Sequence, residues 1–463
     1  MSLAIVIMAA GKGTRLKSKR PKVLHTIGGQ LLLTHVIAAA STVIRAEDIF
    51  VVVGHSAKEV EAAVKATGVR FVHQAEQLGT GHAIQCAEKE IADYSDIVVL
   101  SGDAPLIRPE TIEALLAFHR ENEAAMTILT ALPDDPYGYG RIVRADGGTD
   151  VASIIEQKSL APGQETIREI NSGIYAFRVA TLVRHLHQLT AGNSQKELYL
   201  TDMAGILRAA GERVIALEAS EATEVLGANT IRELVALDAF LRSRTADALM
   251  AQGVTIFRPE TCVIDAEVEV GADTIIEPYV QLLGKTRIGP DCRIRSGTVI
   301  EDSVLGNGVL IRQNCVIVES AIGEEAKIGP FAHLRPGSEI GPEAHVGNFV
   351  ETKKTRLGRG AKANHLSYLG DAEVGAGSNI GAGVITCNYD GVHKHATQIG
   401  ERAFVGSDST LVAPIVVGDG AYIGAGSCIT RNVPANALAV GRSRQVTKEG
   451  WATARRAKRE QEC

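Results

Sequence analysis

Two different periods divide this 463-residue chain. In its first half, short apolar runs alternate with stretches of helical spacing. Residues 4–8, Ile49–Val53, 97–100 and 126–132 are short and apolar, the pattern of buried strands. Residues 59–66 and 83–91 between them space their apolar positions as amphipathic helices do. Such alternation predicts an α/β sheet of mostly parallel strands, Rossmann-like in its winding. Over residues 231–252, Leu234, Leu237, Leu241 and Leu249 form one apolar stripe among many charges, predicting a helical connecting arm. Beyond it the period becomes six: an aliphatic residue, often Gly, two variable residues, a small one, another variable one. Ile288-Gly289-Pro290-Asp291-Cys292-Arg293, Ile328-Gly329-Pro330-Phe331-Ala332-His333, Ile380-Gly381-Ala382-Gly383-Val384-Ile385 and Ile423-Gly424-Ala425-Gly426-Ser427-Cys428 all fit. Each repeat supplies a short strand and a turn, points its aliphatic residue inward, and cannot bury that face alone, so a stacked β-solenoid is required. The expected domains are a sheet over 1–229, an arm over 230–252, and a solenoid with a terminal tail over 253–463. The rhythm fails between Thr386 and His395 and returns at Ile399-Gly400. An interruption of a solenoid is a loop on one face, often its binding face.

Composition narrows the class. The chain is long enough for two or three domains, each with its own core. Lys and Arg total 48 against 54 Asp and Glu, a net charge of -6, so no global charge argument exists for nucleic acid or a membrane surface. The N-terminus has no charged leader before a cleavable apolar run, and no apolar segment approaches the ~20 residues that span a bilayer. A cytoplasmic protein with neither membrane nor nucleic-acid partner is expected. Seven cysteines occur without a Cys-x-x-Cys pair, and Cys292 and Cys315 fall where the repeat takes small buried side chains, so they read as packing residues. The basic tail over 448–459, with Trp451 inside it, reads as an amphipathic or solvated terminal segment rather than a nucleic-acid arm.

Candidate chemistry begins at the end of the first strand. Met8-Ala9-Ala10-Gly11-Lys12-Gly13-Thr14-Arg15 is followed, after five residues, by Pro21-Lys22. Gly11 and Gly13 let backbone amides approach an anion where a Cβ would collide, and a helix is expected to follow. Leu16 stands where the dinucleotide fingerprint has its third glycine. Two fixed cations beside an anion cradle suit a nucleoside triphosphate instead. Ser101-Gly102-Asp103 follows the strand over 97–100, which sets Asp103 at a strand's carboxyl end. There it suits Mg²⁺ beside phosphates, or else a turn or cap before Pro105.

With Arg15 and Lys22 so spaced, this half resembles the sugar-nucleotide pyrophosphorylase family. The resemblance implies a UTP site. Residues 74–83, with Gln74, Gly79 and Thr80, resemble the segment that reads the base, where an amide and backbone groups pair with the uracil carbonyls and imide. Tyr139-Gly140-Arg141, Glu156 and Ile170-Asn171-Ser172-Gly173 resemble the sugar side. Tyr199-Leu200-Thr201-Asp202 also matches, and Gly227-Ala228-Asn229 resembles the second metal position, through the Asn229 amide oxygen. Ser101 is a departure, since some members carry an aromatic residue there. The implied nucleotide-sugar contacts are Met8, Ala9, Ala10, Gly11, Lys22, Gln74, Gly79, Thr80, Ser101, Gly102, Asp103, Gly140, Glu156, Asn171 and Asn229. Arg15 and Lys22 would be catalytic, with Mg²⁺ on Asp103 and Asn229.

The hexapeptides resemble the left-handed parallel β-helix of hexapeptide acyltransferases, three repeats to a triangular coil, a family that forms trimers. Repeats alone do not prove acyl transfer, because some nucleotidyltransferases use them only for assembly. His365, third in Ala363-Asn364-His365-Leu366-Ser367-Tyr368, points away from the apolar interior. Leu334-Arg335-Pro336-Gly337, the string over 346–354 and the string over 365–371 resemble, in order, the acetyltransferase half of two-activity bacterial enzymes. That resemblance covers nearly the whole chain. It implies that His365 takes a proton from the amine of glucosamine 1-phosphate as nitrogen attacks acetyl-CoA. Arg335 and Lys353 would hold the sugar phosphate, Tyr368, Asn379, Asn388 and Tyr389 would orient sugar and acetyl groups, and Ser407, Ala425 and Arg442 would contact acetyl-CoA. The Ala382 amide would stabilise the charge on the thioester oxygen. N-acetylglucosamine 1-phosphate would then attack the α-phosphorus of UTP, giving pyrophosphate and UDP-N-acetylglucosamine for cell-envelope polysaccharides such as peptidoglycan and lipopolysaccharide. A homotrimer is implied. Two alternatives make different demands: a single-activity nucleotidyltransferase with a regulatory β-helix needs no His365 set, and a non-catalytic assembly subunit needs no complete phosphate and metal set.

Overall fold

In the first half the apolar runs become strands: β1 (Leu3–Met8), β2 (Ile49–Val53), β3 (Arg70–His73), β4 (Asp96–Ser101) and β5 (Met126–Ala131). A hairpin of β6 (Arg141–Arg144) and β7 (Val151–Ile155) follows, then β8 (Ile170–Arg178) and β9 (Val214–Glu218). These coordinates are a computed structural model and describe residues 2–145, 148–193 and 196–462. Seven strands form the continuous order β9-β5-β8-β4-β1-β2-β3, with the hairpin attached to β8. Side chains alternate between two cores, Ala4 and Val6 entering one and Ile5 and Ile7 the other. Helices α1 (Leu32–Val43), α2 (Ala57–Val64), α3 (Thr80–Ile91), α4 (Pro109–Glu121), α5 (Val179–Leu186) and α6 (Met203–Ala209) complete this layer structure.

Two details depart from the expected pattern. The first long helix does not open at the glycine turn. Single 3₁₀ turns at Thr14–Leu16 and Lys22–Leu24 and a small hairpin come first, and α1 starts only at Leu32. Pro21 and the positive-φ pair Gly28-Gly29 break any earlier helix. Second, β8 runs antiparallel to both β4 and β5, because the chain reaches it from the hairpin and not through a helical crossover. That reversal sets the start of β8, at Asn171, on the edge where β1 and β4 end.

Helix α7 (Ile231–Ala251) is continuous for 21 residues and buries Leu237, Leu241 and Leu249 of the expected stripe. The chain divides within it into two compact units, 1–242 and 243–463. In the second unit three parallel sheets of 11, 10 and 9 strands run side by side, each coil giving one strand to each sheet. On the first face Ile276, Ile294, Ile311, Ile328, Val346, Ala363 and Ile380 pair in turn at offsets of 17 or 18 residues. All point inward and are buried. Burying one such aliphatic side chain stabilises by roughly 1.5–3 kcal/mol, which only stacked neighbours provide. From Ile380 to Val405 the offset is 25 residues, so this coil alone carries the extra loop. Cys292 and Cys315 lie inside, and burial pushes the Cys315 thiol up to about 11. Helix α8 (Trp451–Glu462) is exposed over residues 451–461, with the Arg455 guanidinium over the Trp451 ring.

Candidate active sites

At the carboxyl edge of the sheet, β1 and β4 end in register at Met8 and Ser101. Gly102 packs so closely on β1 that a Cβ there would lie 2.9 Å from the Met8 carbonyl oxygen. Gly13 is left-handed (φ 60°), and a Cβ on it would lie 2.6 Å from Lys22 Cβ, so glycine here lets the turn fold onto Lys22. Gly11 instead borders open space. Ala9 and Ala10 stay tied to the region of β2 through Val52 and His55.

Four residues predicted for one site meet here. Lys22 Nζ pairs with the Asp103 carboxylate and donates to Asn229 Oδ1 at 2.8 Å, and Arg15 Nη2 donates to the same oxygen at 2.6 Å. Burial alone would raise the Asp103 carboxyl. The Lys22 ammonium and the Ser101 hydroxyl, which donates to Asp103 Oδ1 at 2.6 Å, outweigh it and hold the group below the usual carboxylate value. Asn229 arrives from far along the chain because Ala228 N–H bonds the Asp103 carbonyl, and a Cβ on Gly227 would lie 2.8 Å from Asp103 Oδ2. A capping box then fixes it: Glu233 accepts from the Asn229 and Thr230 N–H groups, and Glu233 N–H donates to Thr230 Oγ1.

Along the same edge, Gln74 is buried. Its Nε2 donates to the Gly79 carbonyl at 3.0 Å and lies 3.2 Å from His82 Nδ1, so this amide braces its own loop. Gly79 (φ 112°) presses on Leu198, and Thr80 Oγ1 accepts from Leu200 N–H. On the sugar side, the Asn171 N–H bonds the Gly140 carbonyl at 2.8 Å and Asn171 Nδ2 donates to the Tyr175 hydroxyl. Thr201 Oγ1 donates to Glu156 at 3.3 Å, and burial raises the Glu156 carboxyl.

In the second unit the predicted residues sort onto two corners of the coil. His365, Ala382, Ser407 and Ala425 stack up one corner, since Gly383, Asp408 and Gly426 N–H groups bond the carbonyls of His365, Ala382 and Ser407. Arg442 lies above, its Cδ 3.7 Å from where a Gly426 Cβ would be. His365 Nδ1 lies 2.6 Å from Asn348 Oδ1, its in-register partner on the neighbouring strand. Stacked Phe331 and Phe349 rings flank this corner, both exposed. Asn379 sits on the first face, paired with Lys362 at the far end of the strand that ends in His365.

The next corner holds the anion-binding candidates. Arg335 pairs with Glu351 at 2.8 Å. Lys353 aligns with Gly370, where a Cβ would lie 2.5 Å from the Tyr368 hydroxyl and 2.8 Å from Asn388 Nδ2. Asn388 donates to Asp371 at 2.5 Å. The extra loop folds as a tight hairpin in which Asp390 accepts from the Val392 and His393 N–H groups and from His395 Nε2, contacts that hold its carboxyl far below the usual range. Tyr389 bridges to Lys394 in that hairpin. The Lys394 ammonium lies against Lys353 and pulls it below the ordinary lysine value. Asn348 and Lys394 were absent from the residues singled out by type. The break in period was the sign of Lys394, and Asn348, although inside the string over 346–354, gets its place beside His365 from strand register.

Residues 5–198 match the MobA-like NTP transferase domain, residues 258–348 the GMPPB C-terminal domain, and residues 396–431 the bacterial transferase hexapeptide family. With a nucleotidyl-transfer edge in one unit and transferase hexapeptides in the other, the chain is a transferase of two parts. It is 60% identical over 456 residues to the "Bifunctional protein GlmU" of Koribacter versatilis, covering 98% of this chain and 97% of that one. Proteins of the same name from Solibacter usitatus (50% identical; 98% and 97% covered) and Alkaliphilus metalliredigens (47%; 97% and 98%) also align almost end to end. The chain belongs to the bifunctional GlmU family, and it is a uridylyltransferase and an acetyltransferase in one polypeptide.

Proposed function

We propose that the second unit acetylates glucosamine 1-phosphate with acetyl-CoA and that the first then transfers UMP from UTP to N-acetylglucosamine 1-phosphate, releasing pyrophosphate. The convergence of Arg15, Lys22, Asp103 and Asn229 on one strand edge carries this reading for uridylyl transfer. No covalent nucleophile is required, because phosphoryl transfer is mainly alignment and charge neutralisation. Arg15 and Lys22 offset the repulsion between two phosphates, while Glu156 and Asn171 receive sugar hydroxyl and N-acetyl groups. Asp103 and Asn229 fit Mg²⁺: each already turns an oxygen to one shared cation, the Lys22 ammonium, and two protein oxygens completed by phosphates and water are its ordinary shell. When bound, Mg²⁺ supplies neutralisation of the triphosphate oxygens.

At the other site His365 removes the amine proton, Arg335 and Lys353 hold the phosphate, and Tyr368, Asn379, Asn388 and Tyr389 orient the acceptor. Ala382, Ser407, Ala425 and Arg442 receive acetyl-CoA. His365 and Lys353 occupy different corners, separated by the strand Tyr368–Gly370, a span on the order of 15 Å for the residues between them. This supports a homotrimer in which a second copy brings its own corner to the first. UTP and acetyl-CoA as substrates also favour a cytoplasmic setting. Glucosamine 1-phosphate, acetyl-CoA, UTP and Mg²⁺ supplied together should yield UDP-N-acetylglucosamine by mass spectrometry. Product requiring only UTP and N-acetylglucosamine 1-phosphate, with no free thiol released from acetyl-CoA, would leave a single activity. His365→Ala should lower acetyl transfer about 10²–10⁴-fold and spare uridylyl transfer. A rate within a few-fold of the parent would assign the proton to another group.

A further inference from the structure

The solenoid strands are mostly two or three residues long, but His345–Asn348 and Lys362–His365 are four. Their pairing runs past the usual inward residue to the corner itself, where Asn348 and His365 are partners. The backbone secures both. Leu366 N–H bonds the Asn348 carbonyl at 3.0 Å, and Phe349 and Leu366 turn left-handed immediately afterwards (φ 57° and 51°). Gly347 is obligatory beside them, since any side chain there would collide with the Asn364 backbone. The Asn348 amide is thus delivered to one imidazole nitrogen by strand register, not by a mobile loop.

We propose that Asn348 is the positioning residue of the acetyltransferase base, an inference that rests on His365 being that base. An amide oxygen only accepts, so the 2.6 Å contact assigns the proton to His365 Nδ1 and leaves the Nε2 lone pair outward. As the acceptor nitrogen attacks the thioester carbonyl, Nε2 takes one proton from that nitrogen. The carbon–sulfur bond then breaks, and the same proton passes to the departing CoA sulfur. Without Asn348 the ring is free to rotate and to present the wrong tautomer. The neighbouring Phe331, Phe349 and Leu366 side chains offer it no replacement acceptor. A neutral amide orients the ring and stabilises the imidazolium only through the dipole of its carbonyl, whereas a carboxylate would add a full opposite charge.

Asn348→Ala and Asn348→Asp in the full-length protein test this. Asn348→Ala should lower kcat for acetyl transfer about 10- to 100-fold with KM for glucosamine 1-phosphate and acetyl-CoA little changed. Uridylyl transfer and the oligomeric state should match the parent. Asn348→Asp should restore part of that rate and move the acid limb of the acetylation pH profile upward by about one unit, because the new charge favours protonated His365. Parental kcat in Asn348→Ala, a loss confined to KM, or an unmoved acid limb in Asn348→Asp would overturn the proposal. Assayed in parallel, His365→Ala separates the two ideas. If it keeps near-parental acetylation, the base assignment itself fails; if it is inactive while Asn348→Ala is not, only the positioning role fails.

Discussion

Asp103 shows how one side chain's charge is set by two neighbours and its own backbone. Lys22, Ser101 and the Asp103 backbone keep it ionised against the penalty of burial, so it is ready to accept a cation at any pH near neutral. Asp103→Asn keeps the shape and removes the charge. UDP-sugar formation should fall to a small fraction of the parent while acetyl transfer stays near normal, as measured by pyrophosphate and free-thiol release. Equal loss of both would contradict two separate sites. Residues of this kind are legible in sequence because their type carries their chemistry: a strand-end Asp, an Arg and a Lys near a glycine turn. Asn348 and Lys394 are not legible that way. Amides and lysines are common on surfaces; the coil's register shows what stands beside Asn348, and the fold of the extra loop shows what stands beside Lys394.

At the scale of elements, where β4, α4 and β5 meet, His119 is 2% exposed, with Nδ1 2.8 Å from Thr127 Oγ1 and Nε2 4.0 Å from Asp96. Burial lowers its pKa to about 4, although Asp96 pulls the other way. The unfolded chain therefore binds this proton first as pH falls. Stability from neutral His119 is complete above about 6.5 and is lost between about 6.5 and 4, a difference on the order of 3 kcal/mol. Thermal inactivation of uridylyl transfer should steepen with acid over that window in the parent and less so in His119→Gln. Parallel curves would show that His119 is not the group responsible. Element by element, strands and helices were readable where apolar period and length agreed. The helix expected after Gly13 was not, since glycine turns open both helices and irregular loops, and Pro21 with Gly28-Gly29 chose the loop. The reversed strand β8 was invisible because pairing direction leaves no mark on a strand's own apolar pattern.

For the whole molecule, the change of period located the solenoid, since a six-residue repeat admits few other packings. The arm was less simple: α7 is one helix, yet the units divide within it at residue 242. Ala246 and Leu249 belong to the solenoid core, so a fragment ending at 242 exposes less apolar surface than one ending at 252. Residues 1–242 should give a mostly monomeric protein by light scattering that makes UDP-N-acetylglucosamine from N-acetylglucosamine 1-phosphate and cannot acetylate. A folded but inactive fragment would show that uridylyl transfer needs the second unit.

The stacked corner from His365 to Arg442 is also a ruler. Four coil steps of about 4.8 Å set the two ends roughly 19 Å apart, so under the proposed acetyl-CoA assignment a donor would be measured by its length as well as recognised by its groups. A short thioester such as S-acetyl-N-acetylcysteamine reaches the histidine end without touching the arginine end. Arg442→Ala should raise KM for acetyl-CoA about tenfold and leave the short donor's already poor kcat/KM unchanged. An equal loss for both donors would mean that Arg442 supports the fold of the corner and measures nothing.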